Sequence, residues 1–424
     1  MHLFSKTKLL AATAIALVSI GTASAQFYTP TNARIDALGG ARVSDVSDIY
    51  RYPALMTGYL DHIQTTWDPT TQYAGFVGVK SIADMFAIGV LANQGPMSMD
   101  FTDNAVIYLN TYLPAVPFNN DIVVPHLLLG IDLGAVAIGA DLFLEYGGYS
   151  EFTADSVDNT GSISNPGFRL SAKAEVASLE ILAKFGMGFP KIEASRTKDT
   201  IISSERASDM GGYMEMGAQV SVPLLGADWV AGLCYTQTDY RFKGRNQISQ
   251  RELLPEPVSY AFSLLNVYLG VEFNFAETAI ATLGYSINHR VNAADTNLLL
   301  LRIDPLRFNG DRHEEHINNT HAIYAGVENA WDKAWVFDSF QLRGGARYEI
   351  NTFSGETSGG VDTLTRGYVT TNYSRPGAHS RIVPTVGVGV SRAFATVDLS
   401  LNPLAWNGLF SGPAVGMVTA TVKF

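Results

Sequence analysis

Cysteine is almost missing: the chain has one, Cys234, among 424 residues. A single thiol excludes an intramolecular disulfide and leaves no cysteine-rich zinc site. Charge is scarce as well. Asp, Glu, Lys and Arg make up 16% of the residues, against about a quarter in a typical soluble domain. Basic residues are outnumbered 29 to 40, for a net charge of -11. That balance argues against a nucleic-acid partner, because a phosphate backbone needs a basic face. Beyond residue 26 no apolar run reaches the roughly 18 residues of a membrane-spanning helix. Gly-x-Ser-x-Gly, His-Glu-x-x-His and Walker-type motifs are also absent. No catalytic residue, metal or cofactor is assigned, and the chain is not expected to be an enzyme.

What is present points elsewhere. Glycine is abundant, with 39 residues, and aromatics reach 11%. Glycine suits crowded lumen positions of a β-barrel, and aromatic rings suit its lipid–water interfaces. The start of the chain has the form of a secretory signal peptide over residues 1–25. Lys6 and Lys8 are its basic end, Leu9 to Ile20 its apolar core, and Ala23-Ser24-Ala25 its small-residue cleavage site. The alternative, a transmembrane anchor, has too short an apolar run to span about 30 Å of hydrocarbon comfortably.

The rest of the chain, from residue 61 to 424, alternates with period two. In 261–275, Leu265, Val267, Leu269, Val271, Phe273 and Phe275 share one face. Asn266, Tyr268, Glu272 and Asn274 share the other. The same pattern runs through 127–144, 168–189, 282–290 and 340–350. A soluble β-sandwich alternates too. Strands of about ten residues or more and polar faces carrying both charge signs favour a membrane barrel with a hydrated lumen. So does strict alternation of connections. Short ones fall near 81–84, Gly134, Ala177, 225–228, 276–278, 331–334 and 392–394. Long ones fall near 93–124, 148–166, 190–208, 242–259, 291–318 and 352–378. The expected fold is an all-β transmembrane antiparallel barrel of about 14–16 strands, with both termini in the periplasm and the outer membrane as location.

Two segments carry a family resemblance. Residues 27–60 do not alternate. They hold Ala37-Leu38-Gly39-Gly40-Ala41, an acidic stretch with Asp45 and Asp48, then Tyr52-Pro53-Ala54-Leu55. This order resembles the start of FadL/PorV-type outer-membrane barrels, with Tyr52 where the family has Asn. The chain also ends on an alternating strand closed by Phe424, which resembles the terminal assembly signal of such barrels. The resemblance implies a fourteen-stranded or similar barrel whose N-terminal segment, residues 26–60, folds into the lumen as a plug. Leu38, Gly39, Gly40, Asp45, Asp48, Pro53 and Leu55 are its expected plug residues. The alternative is an ordinary periplasmic lead-in.

Inward parity puts Arg169, Lys173, Glu272, Arg290, Arg343 and Arg347 in the lumen, where paired charges hold the wall or line a solute path. His313 and His316, expected in a polar loop, lack a scaffold for a metal site. Apolar residues between Phe101 and Phe118 suit either a binding surface or a cover over the barrel mouth. Two functions fit the resemblance. One is a FadL-like channel for hydrophobic or amphipathic small molecules. The other is a PorV-like scaffold for secreted or surface proteins. Outer-membrane lipid is the expected surrounding partner in both.

Overall fold

The structure is a computed structural model. It describes residues 32–40, 46–68, 73–83, 85–92, 122–153, 157–198, 201–245, 258–297, 308–333, 336–362, 367–368, 371–373, 379–401 and 415–424. The expected signal peptide, Asp45 and the 101–118 segment lie outside these residues.

Sixteen antiparallel strands close into one barrel. They are β1 His62–Asp68, β2 Tyr73–Ala83, β3 Phe86–Ala92, β4 Pro125–Asp132, β5 Val136–Thr153, β6 Val157–Val176, β7 Leu179–Gly188 and β8 Ile201–Leu224. There follow β9 Ala227–Arg245, β10 Val258–Ala276, β11 Ala279–Asn297, β12 Phe308–Asp332, β13 Ser339–Asp362, β14 His379–Arg392, β15 Ala395–Leu401 and β16 Val415–Lys423. Each wall strand pairs with its neighbours in sequence, and β16 returns to β1 in register, Ile63 opposite Val422 and Thr65 opposite Ala420. Closure leaves no wall edge, the requirement for a sheet in lipid. Four short strands, such as Lys191–Lys198, extend the ladders beyond the wall.

The two faces are those expected from alternation. On β10 the outward row runs from Phe275 to Leu265 and is largely exposed. Above it the outward positions become Ser263 and Ala261. One such row matches the apolar band of about 25 Å that a membrane barrel presents to acyl chains. Outward Leu127, Leu129, Ile131, Ile138, Leu142, Leu144, Leu283 and Ile323 extend the band around the wall. An apolar surface of that extent is not compatible with water, and among the described residues no second sheet covers it. No described helix is long and apolar enough to cross a membrane; the crossing is made by strands.

The short connections expected at Gly134, Ala177, 225–228, 276–278 and 392–394 are found. The long connections differ. Residues 148–153 and 157–166, 191–198 and 201–208, 291–297 and 308–318, and 352–362 are strand rather than loop. Thr153 pairs with Val157, so the β5–β6 ladder continues almost to the tip of its hairpin. Strands of 24 or 25 residues exceed the 9–11 that cross a bilayer. Their outer halves project past the apolar band. With water on both faces, no apolar alternation marks them in the sequence. His313 and His316 belong to β12 rather than to a loop.

One turn carries a testable oddity. Leu225 (φ 58°) and Gly226 (φ 77°) link β8 to β9, the backbone of a type I′ turn, which favours Asn-Gly. Leu225 is 92% exposed, so its side chain gains nothing that offsets the left-handed backbone. Leu225→Asn is expected to raise barrel stability by about 1 kcal/mol. A thermal melt in detergent showing no rise in midpoint would contradict this.

Candidate functional site

The N-terminal segment lies on the inner side of the wall. Helix α1, Ala33–Ala37, begins at Asn32, whose side chain accepts from the Ile35 N–H at 2.8 Å. It ends at Gly39 and Gly40, both with positive φ. Two single-turn helical segments follow, Val46–Tyr50 and Pro53–Gly58, leading into β1. The two halves of the segment meet different parts of the wall by different chemistry.

The half nearer the barrel is apolar and shape-fitted. Val46, Ile49, Tyr50 and Met56 form one buried cluster with Val77 and Val79 of β2, Ala87 and Leu91 of β3, and Leu128 of β4. Burying side chains such as Ile49 and Met56 contributes about 1.5–3 kcal/mol each. The backbone at Pro53–Ala54 sits directly on Gly139 of β5. A Cβ there would lie 2.2 Å from the Ala54 nitrogen. The Ala54 N–H donates to Ser171 Oγ of β6 at 2.7 Å.

The half containing α1 is held by polar and charged groups. Arg34 donates to both oxygens of Glu328 on β12, at 2.9 and 3.0 Å. Glu328 also takes Arg343 Nε at 2.5 Å, and Arg343 reaches Asp398 at 2.5 Å. Ser400 Oγ donates to Asp36 at 2.5 Å, the Ala33 N–H donates to Thr419, and Thr385 donates to the Ala37 carbonyl. Gly345 of β13 makes room for Leu38 and Gly39. A Cβ on it would stand 2.4 Å from the Gly39 nitrogen.

A second buried charge network lies on β4–β8. Arg169 meets Glu215 at 3.1 Å and Asp141 at 3.6 Å, and donates to the Tyr50 carbonyl at 2.5 Å. Lys184 pairs with Glu215 and stands 5.5 Å from the centre of the Tyr52 ring. Tyr213 donates to Glu215 at 2.8 Å, and His126 Nδ1 bonds Asp141 at 2.8 Å. All four charged members are buried, so each is compensated by its partners rather than by water.

Arg169, Lys173, Glu272, Arg290, Arg343 and Arg347 lie on the face of the wall opposite the apolar row. Lys173 pairs with Glu175 and Glu180, and Arg347 with Glu349, which also binds Arg381. Arg290 stands 4.8 Å from the centre of the Phe262 ring. Glu272 is half-buried in the field of Arg34, Asp228 and Glu328. Among the expected plug residues, Leu38 and Pro53 are buried, while Asp48 and Leu55 are half-buried. Phe424 ties the end of the chain to its start: its N–H donates to the Asp61 carbonyl at 2.9 Å, and Lys80 Nζ lies 4.9 Å from its ring centre. His289 faces outward, bonded to Asn319 at 2.6 Å. Among the described residues no group of His, Cys, Asp and Glu is arranged to hold a metal.

Sequence reasoning missed His126, Tyr213 and the inner apolar patch. Leu128 falls on an inward position of a run that otherwise alternates, and its parity does not say which apolar partner it meets. The wall glycines had a signal that went unused: Gly130, Gly139 and Gly345 fall on inward positions facing the segment.

No protein-family model matches the chain, and no curated protein matches it. Solved structures do. The chain is similar to the CymD monoaromatic hydrocarbon channel at 10% identity and a TM-score of 0.39, covering 93% of this chain and 97% of that one. It is similar to the Pseudomonas putida toluene transporter TodX at 10% identity and 0.37, covering 94% and 97%. The alcaligin outer-membrane receptor FauA of Bordetella pertussis follows at 7% identity and 0.35, covering 86% and 75%.

Proposed function

We propose that the protein is an outer-membrane channel for small molecules, FadL-like in taking hydrophobic or amphipathic solutes, with residues 26–60 as its plug. The observation that carries this reading is the attachment of the N-terminal segment to the inner wall. It is bonded at β12–β16 on one side and packed at β2–β6 on the other, inside a closed barrel. A barrel with an apolar outside and a charged inside needs no such insert to be stable in lipid. An insert fitted to it acts on what passes.

The two halves differ in a way that suits gating. The 46–60 half is continuous with β1 and packed through apolar side chains. The α1 half is held by groups that water can replace. Removing residues 26–40 is expected to raise the conductance of the barrel in planar bilayers several-fold. Equal conductance with and without the segment sinks the plug, and a full-length protein indistinguishable from bare lipid in both solute uptake and current sinks the channel.

A scaffold for secreted or surface proteins is the second reading. Its support is the projection of β8, β12 and β13 far beyond the apolar band. Gentle extraction that yields no stoichiometric large partner counts against it.

A further inference from the structure

The inner wall is divided into sectors of different chemistry. β2–β4 carry the apolar patch covered by residues 46–60. β4–β8 and β12–β15 carry the charge networks. Between them, β10–β13 present a row of neutral hydrogen-bonding side chains at one level. Asn266 stands opposite Asn288, Asn288 opposite Thr320, and Thr320 opposite Asn351. Asn266 donates to the Asn288 oxygen at 2.5 Å, and Thr320 donates to the Asn351 oxygen at 2.6 Å.

Three features make this row a recognition surface. First, Asn288, Thr320 and Asn351 are half-buried, whereas inner-face residues under the N-terminal segment, such as Leu128, Ser400 and Thr419, are fully buried. These three members of the row therefore face lumen space, while Asn266 is buried. Second, the two bonds use the side-chain oxygens of Asn288 and Asn351 and leave their amide N–H groups to bond water or a solute. One step further along β12, the Asn318 side-chain oxygen is buried with no hydrogen-bond partner. Third, the inward cations Arg169, Lys173, Lys184, Arg343, Arg347 and Arg381 already face carboxylates, and Arg290 lies over the Phe262 ring. They are not placed to receive an anion, and the chain as a whole is acidic.

We propose that the Asn266–Asn288–Thr320–Asn351 row selects uncharged, hydroxyl-bearing solutes of the sugar class and discriminates against carboxylates. The inference rests on the channel reading and extends its solutes from hydrophobic and amphipathic molecules to neutral polyhydroxylated ones. A hydroxyl both donates and accepts, so it matches a wall of amide N–H and C=O groups. A carboxylate only accepts, and six of the cations in the lumen it enters already face carboxylates of the wall. Sites built to hydrogen-bond a hydroxyl discriminate through the groups left unpaired by the wrong solute.

The test uses the full-length protein in lipid vesicles with labelled glucose and glucuronate, which differ in a single carboxylate. Glucose is expected to enter at least about tenfold faster. Asn288→Leu is expected to lower glucose entry several-fold. His289→Leu, one residue away on the outward face, is expected to leave it unchanged. Heat-modified gel mobility checks that each variant forms a barrel, and Asn288→Asp, of nearly identical shape, serves if the leucine variant does not assemble. In that variant the added negative charge should depress glucuronate entry further. Equal entry of the two sugars, or a His289→Leu defect as large as that of Asn288→Leu, overturns the proposal. Ion current in planar bilayers without glucose entry overturns it while the channel stands. Neither current nor entry overturns both.

Discussion

Gly345→Val is expected to destabilise the barrel and release α1, while Gly344→Val, one residue earlier, is expected to be neutral or slightly stabilising. The two glycines lie on opposite faces of β13. A Cβ on Gly344 meets nothing within 4 Å; one on Gly345 would stand 2.4 Å from both the Gly39 nitrogen and the Leu38 carbonyl carbon. Those are backbone atoms, so no rotamer change relieves the clash. Valine suits a strand better than glycine, which favours the substitution at 344. At 345 that gain is overwhelmed by overpacking of about 3 kcal/mol or more, unless the segment moves away. Movement has its own cost, because it breaks the Arg34–Glu328 bonds and leaves Glu328 to Arg343 alone. Limited proteolysis near residues 32–40 and a detergent melt distinguish the pair. Equal behaviour of the two variants would mean that α1 does not rest on Gly345.

The second large effect belongs to Glu215. Its carboxylate faces Arg169 and Lys184 and accepts from Tyr213. Glu215→Leu leaves two buried cations with Asp141 as the remaining carboxylate of that network. Removing one member of a buried ion pair costs about 3–5 kcal/mol. Most of the cost arises from stranded charge, with the loss of the Tyr213 bond beside it, so a double change that also replaces Lys184 by methionine should recover part of it. Arg169 additionally donates to the Tyr50 carbonyl, so the loss should spread to the 46–60 half of the segment. Unfolding in urea reads the stability. A midpoint unchanged in Glu215→Leu would show that water, rather than Glu215, compensates the two cations.

The structure differs from the sequence reading where non-local contacts decide. Alternation along β10 and β11 is legible because each strand must put one face in lipid and one in water, and that demand acts on every second residue. The short turns are legible for a related reason. They interrupt the alternation abruptly, and the outward row resumes on the far side. The outer halves of β8, β12 and β13 were expected as loop, because a strand wet on both faces has no apolar period. The inner patch of Val77, Val79, Leu91 and Leu128 escaped because these side chains turn inward yet are apolar. Their reason for being so is Ile49 and Met56, which come from a different part of the chain.

What the sequence alone determined is the class of the molecule: an antiparallel membrane barrel, its inward and outward faces, and the identity of its lumen charges. These follow from a local rule, the two-residue period of a strand between two solvents. Which charge meets which was decided only by the tertiary structure. Arg34 and Glu328 are 294 positions apart, and nothing in the period of either segment specifies their pairing. The pairing depends on barrel closure, which brings β12–β16 beside β1 and sets α1 against them. The same closure placed the glycines of one strand under the backbone of another segment, since packing is a property of surfaces that meet only after the wall has formed.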